Sequence, residues 1–265
     1  MALANIEPTM NEVMQYRFED GGIKRSKFLE TYFLAAMNGL YGNFETAVYK
    51  IGQVFAITGR VLPVTLENVD LSAKLENGQI VKGESTIPKE VRKQKCKIDK
   101  ISLIPENCRP LDEVISSIHG ADIIVMGPGS LYTSVIPNLL VPGVIEAIKK
   151  SNAKKVYIPN VMTQPGETEG YNVLDHVQAI IKHTEPGLID CIVTNNEKIS
   201  ESVARRYNDD GSTQVLLDNE QRLKLKCMGI KAVESNLIEV KDNYIRHNAD
   251  EISSIIIKLA LGHDI

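Results

Sequence analysis

Three polar stretches hold residue types that could grip an anion. The first is Gly127-Pro128-Gly129-Ser130-Leu131-Tyr132-Thr133-Ser134, directly after the apolar run 121–126. Glycines let a backbone approach a ligand closely and turn successive N–H groups into one concavity, which suits phosphate. Ser130, Thr133 and Ser134 add hydroxyl donors, and a helix beginning there would present its positive end. A tight strand-to-helix turn with hydroxyl caps would use the same residues. The position behind a buried strand favours the anion site, with Gly127, Pro128, Gly129, Ser130, Tyr132 and Thr133 as its contacts.

The second stretch runs from Asn160 to Tyr171 and offers Asn160, Thr163, Gln164, Pro165, Gly166 and Glu167 as contacts for a ribose, a sugar or an amide. Its plainer alternative is a surface loop in which Thr168 or Asn172 caps a helix. The third is Thr194-Asn195-Asn196, where the carboxamides of Asn195 and Asn196 suit a base edge or a helix cap equally well. No Ser/His/Asp order, HExxH, P-loop or carboxylate pair is present, so no catalytic residue is assigned. His119 and His183 read as helix-end residues, and His176, beside Asp175, as a surface one. Cys96, Cys108, Cys191 and Cys227 form no CxxC pair and have no histidine at ligand spacing, so reduced thiols are expected and no metal site.

The elements needed to position these stretches follow from periodicity. Met10, Val13, Met14 and Phe18 lie on one face of a helix opened by Pro8. A second helix is expected over 26–40, and a third is capped by Asn43 with Phe44, Ala47, Val48 and Ile51 inward. Alternation at Val69, Leu71, Ala73 and Leu75, followed by Asn77-Gly78, predicts a hairpin with a type I′ turn. It is placed within an insertion over 59–88, either a structural flap or a lid. From residue 97 the pattern is strand–helix–strand, with strands at 98–104, 121–126, 155–158, 190–194, 215–217 and 237–240. Helices are expected at 110–118, 137–150, 172–183 and 198–207, and a last one follows the cap Asn248. Such alternation implies a parallel sheet with helices on both sides, whose ligands sit at the carboxyl ends of the strands.

Composition narrows the partners. A net charge of −4 and 5% aromatics argue against nucleic acid. The basic residues between Lys89 and Lys100 read as a solvated loop leading into a strand. No apolar run approaches the roughly 20 residues of a membrane span. The start, Met1-Ala-Leu-Ala-Asn5, has neither a basic leader nor an apolar core, so no membrane partner and a cytoplasmic location are expected. The chain is treated as one α/β domain, 1–265, binding a small phosphorylated molecule, foremost a nucleotide or nucleotide-sugar. The one cofactor such a ligand could bring is the Mg2+ that accompanies a nucleotide.

Several segments together resemble the bacterial gluconeogenesis factor family, related to the 2-phospho-L-lactate transferases of deazaflavin coenzyme biosynthesis. They are Gln15-Tyr16-Arg17-Phe18, Gly59-Arg60-Val61-Leu62-Pro63, Gly83-Glu84-Ser85-Thr86-Ile87-Pro88, the run Gly127 to Asn138, Met162 to Thr168, and Tyr244-Ile245-Arg246-His247-Asn248. The resemblance implies a Rossmann-like three-layer sandwich with a mostly parallel sheet and a β-hairpin insertion. It also implies nucleotide or nucleotide-sugar binding and a role in growth on gluconeogenic carbon, where cell shape and wall synthesis depend on the factor. The alternative it carries is a transferase using a nucleotide-linked donor. The family's opening Gly-Gly-Gly-Thr-Gly loop has no counterpart, so the chain reads as shortened at its N-terminus. Losing a sheet-opening strand would expose a neighbour's edge, and a homo-oligomer is expected to cover it. The family's Ser-Leu-Gly-Asn segment is Phe28-Leu29-Glu30-Thr31 here, adding a carboxylate that would repel phosphate.

Overall fold

A computed structural model describes residues 29–55, 58–241 and 244–263. The expected helix after Pro8, the Gln15–Phe18 segment, and the side chains of Glu30 and Thr31 lie outside the described residues. Chain contacts divide the molecule into two compact units, Met1–Leu66 and Glu67–Ile265.

In the first unit, α1 (Leu29–Tyr41) and α2 (Phe44–Val54) are joined by Gly42, at φ +64°, and Asn43. Asn43 caps α2 as expected, its Oδ1 accepting the Thr46 N–H at 3.0 Å. The rings of Phe33 and Phe55 pack with centroids 5.4 Å apart. Phe44 is exposed rather than inward. At the first helical position its Cβ tilts off the helix end, away from the packed stripe.

The second unit opens with β1 (Asp70–Leu75) and β2 (Ile80–Lys82), paired antiparallel around Asn77-Gly78. Of the two turn residues only Gly78 has positive φ, and the Gly78 N–H bonds to the Leu75 carbonyl at 2.8 Å. The turn is therefore a three-residue loop with glycine in the left-handed position, not type I′. β1 also pairs antiparallel with β3 (Ile98–Ile104), giving the order β2-β1-β3. The hairpin is thus the centre and one edge of a sheet rather than a flap. β3 was expected in the parallel set. Its burial alternates only over its second half, where Ile101 and Leu103 are buried and Lys100 and Ile104 exposed, and the register shift opposite Lys74 and Leu75 brings Ile98 inward as well.

Between them, the basic segment is a helix and not a loop. α3 (Ile87–Gln94) starts with Pro88 in its first turn and buries Ile87 and Val91, four residues apart. The polar residues between leave it a single apolar stripe, which packs on β1 and β2. Lys95 ends it at φ +48°.

The chain continues through α4 (Asp112–His119) into the parallel sheet of β4 (Ile123–Met126), β5 (Lys154–Tyr157), β6 (Cys191–Asn195) and β7 (Lys231–Ser235), in that spatial order. Connections are α5 (Ile136–Leu139), α6 (Val144–Lys150), α7 (Val173–His183), α8 (Glu201–Asp209) and α9 (Asn219–Cys227). Then come the antiparallel ribbon of β8 (Ile238–Lys241) and β9 (Tyr244–His247), and α10 (Ala249–Ala260), capped by Asn248. Val156, Val193 and Val233 join a core cluster with Ile255 and Leu259 of α10. Tyr157 and Ile192, which alternation points to the other face, are fully buried as well. The sheet is covered on both faces, the three-layer α/β arrangement.

Four further details differ from expectation. The helix expected over 137–150 is two pieces, because Pro142 lacks an N–H and Gly143 sits at φ +89°. Residues 215–217 form no strand; Val215 instead donates its N–H to the Val161 carbonyl at 3.0 Å. The late strand, β8, pairs in the antiparallel ribbon and not in the parallel sheet. β7 and α9 were not anticipated, since Lys-Ala-Val-Glu-Ser is too polar to read as a central strand. Among the described residues no single helix is long and apolar enough to cross a membrane.

Candidate functional site

The first two strand-end loops interlock. Ile158 extends β5 beside β4, its N–H bonding to the Met126 carbonyl at 2.9 Å. Gly127 leaves β4 at φ +80°, where an added Cβ would lie 2.6 Å from the Ile158 carbonyl oxygen. Only glycine lets the two backbones cross this closely. The Gly129 N–H then donates to Asn160 Oδ1 at 3.1 Å. Asn160 Nδ2 donates to Gln164 Oε1 at 3.0 Å, and Gln164 Nε2 to Ser130 Oγ at 2.7 Å. Two carboxamides of the second loop thereby fix the backbone and hydroxyl of the first. The Ser130 hydroxyl accepts in this ring and keeps its own hydrogen to give.

After Ser130 the chain makes a π-helical turn, Leu131–Val135, leading into α5. The positive start of that turn is met from inside the protein. Glu167 accepts the Tyr132 N–H at 3.2 Å on one oxygen and the Thr133 hydroxyl at 3.0 Å on the other. Burial pushes the Glu167 carboxyl above its usual range, against the pull of the bonds from Thr133 and Tyr132, and the charge of nearby Glu84 pushes the same way. In this arrangement Glu167 positions the first loop.

The second loop is itself held at both sides. Gly166 stands at φ +84°, and a Cβ there would come within 2.3 Å of the Pro88 carbonyl oxygen at the start of α3. Pro165, next to it, is half-buried. Its neighbour Thr168 accepts the Gln164 N–H at 2.9 Å, and Asn172 forms a capping box with Asp175 at the start of α7. Thr163 turns away from the first loop: its Oγ1 accepts the Thr213 N–H at 2.8 Å, and its carbonyl accepts the Ser212 hydroxyl at 2.9 Å.

Behind the loops lies a buried aromatic and imidazole layer. The Tyr132 and Tyr171 hydroxyls are 2.7 Å apart, and burial drives the Tyr132 phenol far above its ordinary range. His183 packs edge-on to Tyr132, accepts the Ile101 N–H on Nε2 at 2.8 Å and meets the Ala179 carbonyl through Nδ1 at 2.7 Å. Burial lowers its proton affinity. His176 is also buried, contrary to expectation, because α7 hides Val173, Leu174, Val177, Ala179 and Ile180 around it. Its Nδ1 meets the Asn172 carbonyl at 2.7 Å, and its ring stands edge-on to Tyr171.

The third strand end stands apart from this ring. The buried Asn195 accepts the Leu237 N–H at 3.1 Å and the Glu197 N–H at 3.3 Å, and donates to the Glu197 carbonyl at 2.7 Å. It ties β6 to the chain leaving β7, while Asn196 is exposed. Of the sequence candidates, Gly127, Gly129, Ser130, Thr133, Asn160, Gln164 and Glu167 are brought together, and Thr163, Asn195 and Asn196 are not. Tyr171, His176, His183 and Glu84 were missed, since no local pattern marks a residue that becomes important only through contacts dozens of positions away. Among the described residues no three His, Cys, Asp or Glu side chains gather as a metal site.

A parallel sheet with Gly-rich and carboxamide-rich loops locked together at its carboxyl edge defines a Rossmann-like α/β protein. The family model described as 2-phospho-L-lactate transferase CofD matches residues 1–238, and the chain belongs to that family. Proteins named gluconeogenesis factor from Bacillus subtilis and Halalkalibacterium halodurans are each 41% identical over 258 residues, covering 97% of this chain and 79% and 78% of theirs. A relative from Clostridium acetobutylicum is 46% identical over 97% of this chain, which spans only 56% of that protein. The crystal structure of a UPF0052 family member from Bacillus halodurans superposes with a TM-score of 0.88 at 41% identity, covering 97% of this chain and 80% of that one.

Proposed function

We propose that the chain binds a nucleotide or nucleotide-sugar across its first two strand-end loops, as a factor supporting growth on gluconeogenic carbon and the maintenance of cell shape and wall. The observation that carries this reading is the ring from Gly129 through Asn160 and Gln164 to Ser130. Such a ring holds a glycine backbone and a hydroxyl in place before a ligand arrives, which lowers the ordering cost of binding. The names of the relatives from Bacillus subtilis and Halalkalibacterium halodurans support the link to gluconeogenic growth.

Gly129→Asp tests the site. A Cβ at Gly129 would meet only Ser134 Cβ and Val135 Cγ2, both at 3.8 Å, so the backbone there takes a Cβ without a clash. The added carboxylate would repel a phosphate. Calorimetry with uridine, adenosine and guanosine diphosphates and their sugar conjugates should find a ligand for the parent chain and none for the variant. Equal affinity in both would place the ligand elsewhere.

A second reading, transfer of a phosphate-linked group from a nucleotide donor to an acceptor, is favoured by the description of the matching family model. Phosphate-transfer catalysis rests largely on positioning and electrostatics, which such loops can supply. Release of nucleoside phosphate in the presence of Mg2+ would support it, and stable binding without release would oppose it.

A further inference from the structure

The basic residues at the end of α3 line a cavity of about 350 Å3 together with the back of the second loop. Its walls include Arg92, Lys95, Cys96, Lys97, Glu167 and Glu169, and none of Gly127, Gly129, Ser130, Asn160 or Gln164. That volume falls at the small end of the roughly 300–1,000 Å3 range of small-molecule sites.

The charges around it are unevenly matched. Lys93 pairs with Glu90 at 3.3 Å, and Lys182 pairs with Asp99 at 2.6 Å. Glu167 is engaged by the Tyr132 N–H and the Thr133 hydroxyl, and Glu169 Oε1 by the Gly166 N–H at 2.9 Å. Both carboxylates that line the cavity thus have donors of their own. Among the described residues, Arg92, Lys95 and Lys97 have no carboxylate at ion-pair distance. The negative end of α3 accounts for cations in its last turn, but that influence falls off within a turn. Lys97 lies past it, 5.4 Å from the centroid of the Tyr171 ring. Three cations thus line one concavity against two carboxylates, and none of the three is ion-paired to either, which leaves positive charge to be met by an anion from outside.

We propose that this cavity is a second ligand site, taking a small phosphomonoester of the sugar phosphate class. Lys95, Lys97 and Arg92 hold the phosphate, and the second carboxylate oxygen of Glu169 accepts a sugar hydroxyl. Occupancy is communicated to the first loop by two contacts. Glu167 lines the cavity while both its oxygens hold that loop, and Lys97 covers Tyr171, whose hydroxyl meets that of Tyr132.

Ribose 5-phosphate and inorganic phosphate are the probes, titrated by calorimetry into the whole chain. Ribose 5-phosphate should bind, and more tightly than inorganic phosphate, which has no hydroxyl arm to reach Glu169. The pair Lys95→Gln and Lys97→Gln should weaken it at least about tenfold, the loss expected for removing two charge-assisted contacts. Lys97→Arg in the otherwise native chain should keep it, and Gly129→Asp should leave it unchanged. No binding to the native chain would overturn the site. Binding indifferent to the double substitution would do the same, as would binding lost with Gly129→Asp, which would assign the phosphate to the strand-end loops. Equal affinity for the two probes would overturn the sugar phosphate assignment.

Discussion

Glu167 fastens the start of the π-helical turn to the second loop from inside the protein. Truncating it in Glu167→Ala leaves the buried Tyr132 N–H and the Thr133 hydroxyl without an acceptor, and urea unfolding should show a loss of about 2–4 kcal/mol. Its titration gives a second test. Folding raises this carboxyl above its unfolded value of about 4.3, so the group's stabilising contribution is full below that pH and is lost as pH rises through the folded value. Glu167→Gln mimics the protonated form. The variant should match the parent near pH 4 and gain on it as pH rises toward 7; a constant difference across that range would show that burial does not govern this group. The glycines divide in the same concrete way. Gly127→Ala and Gly166→Ala each force a left-handed residue against a carbonyl oxygen, at 2.6 and 2.3 Å, and should cost at least about 2 kcal/mol. Gly129→Ala meets nothing closer than 3.8 Å and should stay within about 1 kcal/mol of the parent.

At the scale of elements, α7 joins the second loop to the antiparallel sheet. Its N-terminus carries the Asn172 cap, and its C-terminus places His183 against the backbone of β3. Protonating His183 would replace the acceptor of the Ile101 N–H with a second donor. Because burial lowers its proton affinity on folding, its contribution to stability is full above the unfolded value of about 6.5 and is lost as pH falls toward the depressed folded value. The urea midpoint should therefore drop between pH 6.5 and 5, and drop less in His183→Gln, where a side-chain oxygen can still accept. An identical acid limb in both proteins would assign the effect to His176 and His247, which burial shifts in the same direction. The caps at Asn43 and Asn248 were legible in the sequence because a cap is a contact over three residues, and Asn172 was one of two candidates for the cap of α7. The pairing of β1 with β3 was not legible. It joins residues some thirty positions apart, which no local pattern in the sequence links.

At the scale of the whole molecule, the parallel sheet and its loops were legible because continuous apolar runs such as Ile123–Met126 mark its strands, although β4 is an edge strand with Val125 exposed and not the doubly buried strand expected. β7 escaped notice since its buried positions are few and its flanks charged. The partnership of the two loops could be anticipated from their shared edge. Their ring of carboxamides could not, because Asn160 and Gln164 could equally have turned toward solvent. The central claim is that this ring is a binding surface. The most direct test is thermal unfolding of the chain, with and without each nucleotide and nucleotide-sugar, alongside Gly129→Asp. A ligand present at about 100 times its dissociation constant adds about 2.7 kcal/mol to the native state, a clear rise in midpoint. A rise with one ligand class in the parent and none in Gly129→Asp is the predicted result. A cooperative transition that no ligand shifts, or one shifted equally in both proteins, would contradict it.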